Sequence, residues 1–111
     1  MIKVIITRRA DHSIHSFEIS GHAESGPHGH DLVCAAVSAV SFGTVNAVYG
    51  LCQTKLGIEQ GKKGGFLRCV VPDHLDQDTN RKVQLLLEGM LVSLQTIEND
   101  YGKYIQINDN Y

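Results

Sequence analysis

The 111-residue sequence has no surplus of basic residues: Lys and Arg number 10 against 12 Asp and Glu, a formal net charge of −2. Nucleic-acid binders usually show a basic patch and an excess of Lys and Arg, so no nucleic acid is expected as a partner. Nor is there a CxxC or other metal-type cysteine spacing. The three cysteines, Cys34, Cys52 and Cys69, are odd in number. They read as free thiols in a reducing, cytoplasmic compartment rather than as a disulfide framework. No signal peptide opens the chain, since Met1 to Thr7 reads directly as a strand. No internal repeat, low-complexity tract or linker interrupts it. The length suits one domain over residues 1–111, with one core.

Charge is also missing from Leu32 to Gln53, a stretch long enough to span a bilayer. However, Ser38, Ser41, Gly43, Thr44, Asn46 and Gly50 interrupt it, and alanine supplies much of its apolar content. A buried central helix is the expectation, with no membrane involved.

What is present alternates between two periods. Ile2 to Thr7 is β-branched and predicts a strand, followed by a polar turn from Arg8 to His12. Ile14 to Ser20 puts Phe17 and Ile19 on one face and Ser16, Glu18 and Ser20 on the other, which predicts a second strand. Gly21 to His30 holds Gly21, Gly26, Pro27 and Gly29 and reads as a loop. Asp31 resembles a helix N-cap, and the helix it opens should run to about Cys52, largely enclosed because apolar and small residues lie nearly all round it. Leu56 to Val71 predicts a hairpin with its turn at Gly64-Gly65 and its clearer strand from Phe66. Pro72-Asp73 ends it. Asp78 or Thr79 opens a second helix whose stripe is Val83, Leu87, Met90, Leu94, Ile97 and Tyr101; Gly102 ends it. Ile105 and Ile107 mark a last strand. The order ββαββαβ predicts an α+β domain, a mostly antiparallel sheet with two helices packed against it.

Cys34 falls in the first turn of the first helix. The thiolate is the reactive form of cysteine, and the positive end of a helix dipole favours it over a free thiol of pKa about 8.5. His22 lies at the mouth of the Gly-rich loop that returns to Cys34, so the loop can fold back and set imidazole beside sulfur. Such a histidine takes the thiol proton and later gives it to a leaving amine. Asp31 reads first as the cap that positions the Cys34 helix, and second as a carboxylate able to orient His22. Ser38, one turn beyond Cys34 on the same face, lines the site or back-bonds to the helix carbonyl four residues earlier. Backbone N–H groups at the helix start suit a developing oxyanion. His28 and His30 with His22 and Cys34 offer nitrogen and sulfur donors for zinc, but their spacing matches no compact zinc motif, and no metal is expected. Cys52 and Cys69 look like core residues; His12, His15 and His74 look like surface residues.

Gly21-His22-Ala23, followed by Gly29-His30-Asp31-Leu32-Val33-Cys34-Ala35-Ala36-Val37-Ser38, resembles the signature of the ribosomal-processing cysteine proteases, the Prp or YsxB-like family. Asn46-Ala47, Gly64-Gly65 and Met90 to Ile97 also fit that pattern, so the resemblance covers essentially the whole chain. It implies a cysteine endopeptidase that removes the N-terminal extension of a bacterial large-subunit ribosomal protein precursor, the one numbered twenty-seven, cutting after an apolar, Phe-containing stretch. It implies His22 and Cys34 as the catalytic pair, Asp31 and Ser38 as supporting residues, and a homodimer. No metal or organic cofactor is required. Two rivals are a non-catalytic ribosome-assembly binding module using the same cleft and a zinc-dependent hydrolase. Thiol redox chemistry ranks below both, because no second cysteine lies near Cys34. The loop 23–30, made permissive by Gly26 and Gly29, is expected to border the site, mobile without substrate and ordered with it.

Overall fold

The computed structural model describes residues 1–22 and 31–110. Its elements are β1 (Ile2–Arg8), β2 (Ile14–Ser20), α1 (Leu32–Cys52), β3 (Gly57–Gln60), β4 (Phe66–Val70), α2 (Gln77–Tyr101) and β5 (Ile105–Asn110), in the expected order. They build one sheet of order β3-β4-β2-β1-β5. Hairpins join β1 to β2 and β3 to β4, and β2 pairs with β4, all antiparallel. The strand β5 lies parallel to β1, because α2 carries the chain across the sheet from β4 to the far edge.

Period-two patterning decides which face is covered. Ile2, Val4, Ile6, Phe17, Ile19, Leu67, Cys69 and Ile105 are buried with the apolar stripes of both helices in one core. Lys3, Glu18, Arg68 and Gln106 occupy the opposite face, where Arg68 and Glu18 stand 4.0 Å apart across the β2–β4 pair. The fold is therefore two layers, helices on one side of a half-solvated sheet.

Two layers also explain why α1 is not enclosed as its composition predicts. Val33, Val37, Ser41, Val45, Val48 and Cys52 form its buried stripe, while Leu32, Phe42, Tyr49 and Leu51 are exposed. By length and composition α1 could cross a membrane, but this stripe packs into the same core as the strands. The stripe predicted for α2 is buried from Val83 to Leu94, and Tyr101 is exposed. The start of α2 also differs. Its cap is Asp76, whose carboxylate accepts from the Thr79 N–H at 3.2 Å, and Asp78 becomes an acidic residue of the first turn. Capping by Asp76 lowers its pKa, chiefly through the Thr79 hydrogen bond. His15 is not a surface residue either. The β1–β2 register shifts between Thr7 and Arg8, leaving His15 as the extra residue of a bulge, half-buried. Its Nδ1 is buried without a hydrogen-bond partner among the described residues. At this irregularity the Gln84 side chain of α2 serves both backbone groups of Ile14, accepting from its N–H at 2.7 Å and donating to its carbonyl at 2.9 Å.

Arg8, at the end of β1, closes the same end of the core with its side chain only 3% exposed. The guanidinium donates to Asp109 through Nε at 2.7 Å and Nη2 at 3.0 Å, to Glu88 through Nη1 at 2.6 Å and Nη2 at 3.0 Å, and to the His12 carbonyl at 2.8 Å. These hydrogen bonds, Glu88 first and Asp109 second, raise its pKa above the ordinary arginine value. One planar fork thus ties β1, β5 and α2 together. Arg8→Met should remove that tie and leave Glu88 facing Asp109. We expect a stability loss of about 2 kcal/mol, below the usual cost of breaking a fully buried pair because both carboxylates reach solvent. Urea denaturation measures it; a midpoint equal to that of the native sequence would show that the network contributes nothing net.

Candidate active site

The end of the sheet opposite Arg8 is where the chemistry-bearing residues gather. After Ser20 the chain turns through Gly21, whose φ is +89°. A Cβ there would collide with the Met1 carbonyl oxygen, so glycine is required twice over. The Gly21 N–H donates to the Gly65 carbonyl at 2.8 Å, which fixes the first residue after β2 to the residue before β4. His22 follows directly and is exposed. Its imidazole lies against Gly65. A Cβ on Gly65, where φ is +73°, would stand 2.8 Å from His22 Nε2 and 3.4 Å from Cε1. The glycine therefore leaves the space in which the ring rests.

The facing wall is α1. Asp31 adopts extended backbone geometry, and its Oδ1 accepts from the Cys34 N–H at 3.0 Å. This is the expected cap, and it holds the turn that carries the Cys34 side chain. Between α1 and the sheet lies an open cleft of about 380 Å³. Cys34, Ser38 and Phe42 line it from the helix, Ile2, Ile19 and Leu67 from the sheet, and Gln60, Gly61, Gly64, Gly65 and Phe66 from the β3–β4 hairpin, with Gly21 and His22 also in the wall. The structure thus brings His22, Cys34, Ser38 and Gly21 to one cleft, whose other walls are largely apolar. Ser41 also lines it, but its hydroxyl donates to the Val37 carbonyl at 2.8 Å, whereas Ser38 is exposed. Gly26 and Gly29, the ordering expected of the loop 23–30, and the zinc donors His28 and His30 lie outside the described residues.

Cys52 and Cys69 are buried in the core, away from the cleft, and none of the three cysteines is in a disulfide. Burial pushes the Cys69 thiol up to about 11. Sequence reasoning missed Gly65. The Gly64-Gly65 pair was legible as a turn, and both residues do have positive φ. Nothing in a Gly-Gly doublet distinguishes a turn from a turn that also makes room for the ring of a neighbouring side chain.

The sequence model of a family described as cysteine protease Prp matches residues 1–106. The ribosomal processing cysteine protease Prp of Bacillus subtilis is 46% identical over 110 residues, covering 99% of this chain and 98% of that protein. Among solved structures, an essential ribosomal processing protease Prp from S. aureus in complex with a covalently linked product peptide superposes with a TM-score of 0.90 at 40% identity, covering 99% of this chain and 100% of that one. The S. aureus protease in complex with a substrate peptide gives a TM-score of 0.85 at 40% identity, with the same coverage.

Brief iodoacetamide treatment of the native protein should alkylate Cys34 ahead of Cys52 and Cys69, because Cys34 lines an open cleft at a helix start and the others are core residues. Mass mapping reads the outcome, and preferential labelling of Cys52 or Cys69 would contradict it. Gly65→Ala should displace the His22 ring, since the added methyl meets it at less than van der Waals distance in a strained backbone conformation. The His22 Cε1–H and Cδ2–H resonances should shift in NMR spectra; unchanged resonances would mean that Gly65 does not set the ring position.

Proposed function

Because this chain belongs to the cysteine protease Prp family, and is with it a cysteine protease, we propose that Cys34 is its nucleophile and His22 its general base and general acid. The observation that carries this reading is the shared cleft. Of the three cysteines, Cys34 alone lines it, and His22 lines it from the side opposite α1.

The steps follow from these positions. His22 takes the Cys34 proton, and the thiolate attacks the scissile carbonyl carbon. The tetrahedral oxyanion sits at the start of α1, where the Asp31 cap consumes the Cys34 N–H and the Ala35 N–H donates to the Asp31 carbonyl at 3.1 Å. Among the described residues no partner takes the N–H groups of Leu32 and Val33, which serve as oxyanion donors strengthened by the helix dipole. Collapse breaks the C–N bond as imidazolium protonates the leaving amine, giving a thioester on Cys34. Water, deprotonated by His22, then hydrolyses the thioester and returns the thiol. Asp31 acts by fixing the helix start, and Ser38 lines the peptide path. The S. aureus relative with a covalently linked product peptide supports a covalent route on this fold.

The substrate of this reading is the N-terminal extension of the bacterial large-subunit ribosomal protein numbered twenty-seven. The family's role in ribosomal processing supports it, and the apolar walls at Phe42, Phe66, Ile19 and Leu67 suit an apolar, Phe-containing stretch before the cut. The site of action is the reducing cytoplasm, where a free thiol persists. The working form is a homodimer, for which the exposed Leu85 and Val92 of α2 and Tyr49 of α1 supply apolar surface.

Cys34→Ser should fold and fail to cleave a precursor peptide, because a hydroxyl is far less acidic than a thiol and a site tuned for a thiolate does not activate it. His22→Ala should lower turnover on the order of a hundredfold or more, the usual worth of general acid–base catalysis. Chromatography of peptide digests checks both; normal turnover by a folded variant removes that residue from the mechanism.

A further inference from the structure

The strand β3 is the free edge of the sheet, and its four residues, Gly57–Gln60, are all exposed. The hydrogen-bonding parity of the hairpin settles which backbone groups face outwards. Gly65 accepts from Gly21, and the Val71 N–H donates to the His15 carbonyl at 2.8 Å, so the odd-numbered residues of β4 bond to β2. The even-numbered Phe66, Arg68 and Val70 therefore turn to β3. Consistently, the Gly61 N–H donates to the Phe66 carbonyl at 3.2 Å, and Glu59 and Gly57 stand opposite Arg68 and Val70. Antiparallel pairing alternates, so the N–H and C=O groups of Ile58 and Gln60 point away from the sheet. They have no partner among the described residues.

This open ladder leads into the cleft. Gln60 and Gly61, at its end, line the same cavity as Cys34 and His22. Ile58 and Gln60 pair in register with Cys69 and Leu67, so their side chains share the helix-facing side of the sheet, and Ile58 is 48% exposed there. A strand with unsatisfied edge groups, one apolar side chain and a continuous path to a nucleophile is suited to one kind of occupant.

We propose that an extended peptide substrate adds to the outer edge of β3 as a further strand, hydrogen-bonding the backbone of Ile58 and Gln60, and so delivers its scissile bond to the cleft between Cys34 and His22. The proposal rests on the protease reading above and deepens it by assigning where the chain outside the cleft is held. The edge provides two rungs. They grip any extended backbone, while alternate side chains of the peptide meet Ile58 and the apolar cleft walls, which supplies selectivity. Four residues is also too short an edge to favour open-ended sheet growth.

The test separates binding from cleavage. A fluorescein-labelled synthetic peptide of the precursor's N-terminal extension is titrated against Cys34→Ser and against Cys34→Ser carrying Ile58→Pro. Proline removes the outward N–H, and the isoleucine side chain with it, but no bond to β4; it is tolerated at a sheet edge, so the β3–β4 ladder survives and the methylated peptides below isolate the backbone contribution. We expect about tenfold weaker binding, the upper worth of one lost hydrogen bond together with the lost side-chain contact. A second measurement keeps the protein unaltered. Peptides methylated on one backbone nitrogen at a time should weaken binding at every second position of the segment that lies on β3. Equal affinity for the proline variant together with no period-two pattern in the methylated series overturns the proposal. Period-two binding by the Cys34→Ser protein, with no cleavage of the same peptide by the native one, would uphold the edge and instead refute this extension as the substrate.

Discussion

The hydrogen bond from the Gly21 N–H to the Gly65 carbonyl, 2.8 Å long, is the constraint from which the site is built. It extends the β2–β4 pairing one rung beyond the strands and brings two positive-φ glycines together. Gly21 passes under the Met1 carbonyl with no room for a side chain, and Gly65 leaves open the volume that the His22 imidazole occupies. His22 is exposed and belongs to no element, yet its ring has a floor because a strand pair ends beneath it. A site residue on a chain turn is normally costly to hold in place. Here the sheet itself supplies the ordering, and only the glycine backbone conformations are unusual.

The two ends of the sheet have divided tasks. At the end of β1 that carries Arg8, a buried cation with two bidentate carboxylate partners joins β1, β5 and α2, and Gln84 satisfies the backbone freed by the bulge. At the end that begins with Ile2, the core opens into a cleft whose polar groups are exposed or capped. Polar networks add little net stability, but they specify which elements meet. Specifying one end tightly lets the other stay open without the layers shifting against each other, so Cys34 on α1 and His22 just beyond β2 keep a common reference.

How much of this was legible in the sequence depends on the range of the signal. Period-two strands such as Ile14 to Ser20 and the Val83-to-Leu94 stripe identified themselves, because burial on one face writes a period into the chain. Asp31 capping the Cys34 turn was also readable, being a contact across three residues. The start of α2 was less so: Asp76 and Asp78 are equally good caps, and only the path out of β4 chooses between them. The enclosure expected of α1 failed for a different reason. An all-round apolar composition does not say how many layers cover a helix, and here there is one. The register shift that leaves His15 half-buried depends on pairing with Thr7 and Arg8, which no local pattern encodes. Of the site, Cys34 carried a local physical argument, while His22 stood out from the other histidines chiefly through the family resemblance.

The β3–β4 hairpin shows why such a site resists reading from single residues. Parity along β4 assigns Gly65 and Leu67 to β2 and Phe66 and Arg68 to β3, so one strand simultaneously fixes the turn under His22 and orients the outward groups of Ile58 and Gln60. A one-residue slip in the hairpin would invert both at once: the glycine would leave the ring, and the open ladder would turn inward. The register of a short, exposed hairpin is thus coupled to the position of the proposed base and to the proposed docking edge. What holds that register is the buried pair Leu67 and Cys69 against Ile19 and Phe17, so the chemistry at the surface is anchored in the core that the alternation of β2 and β4 creates.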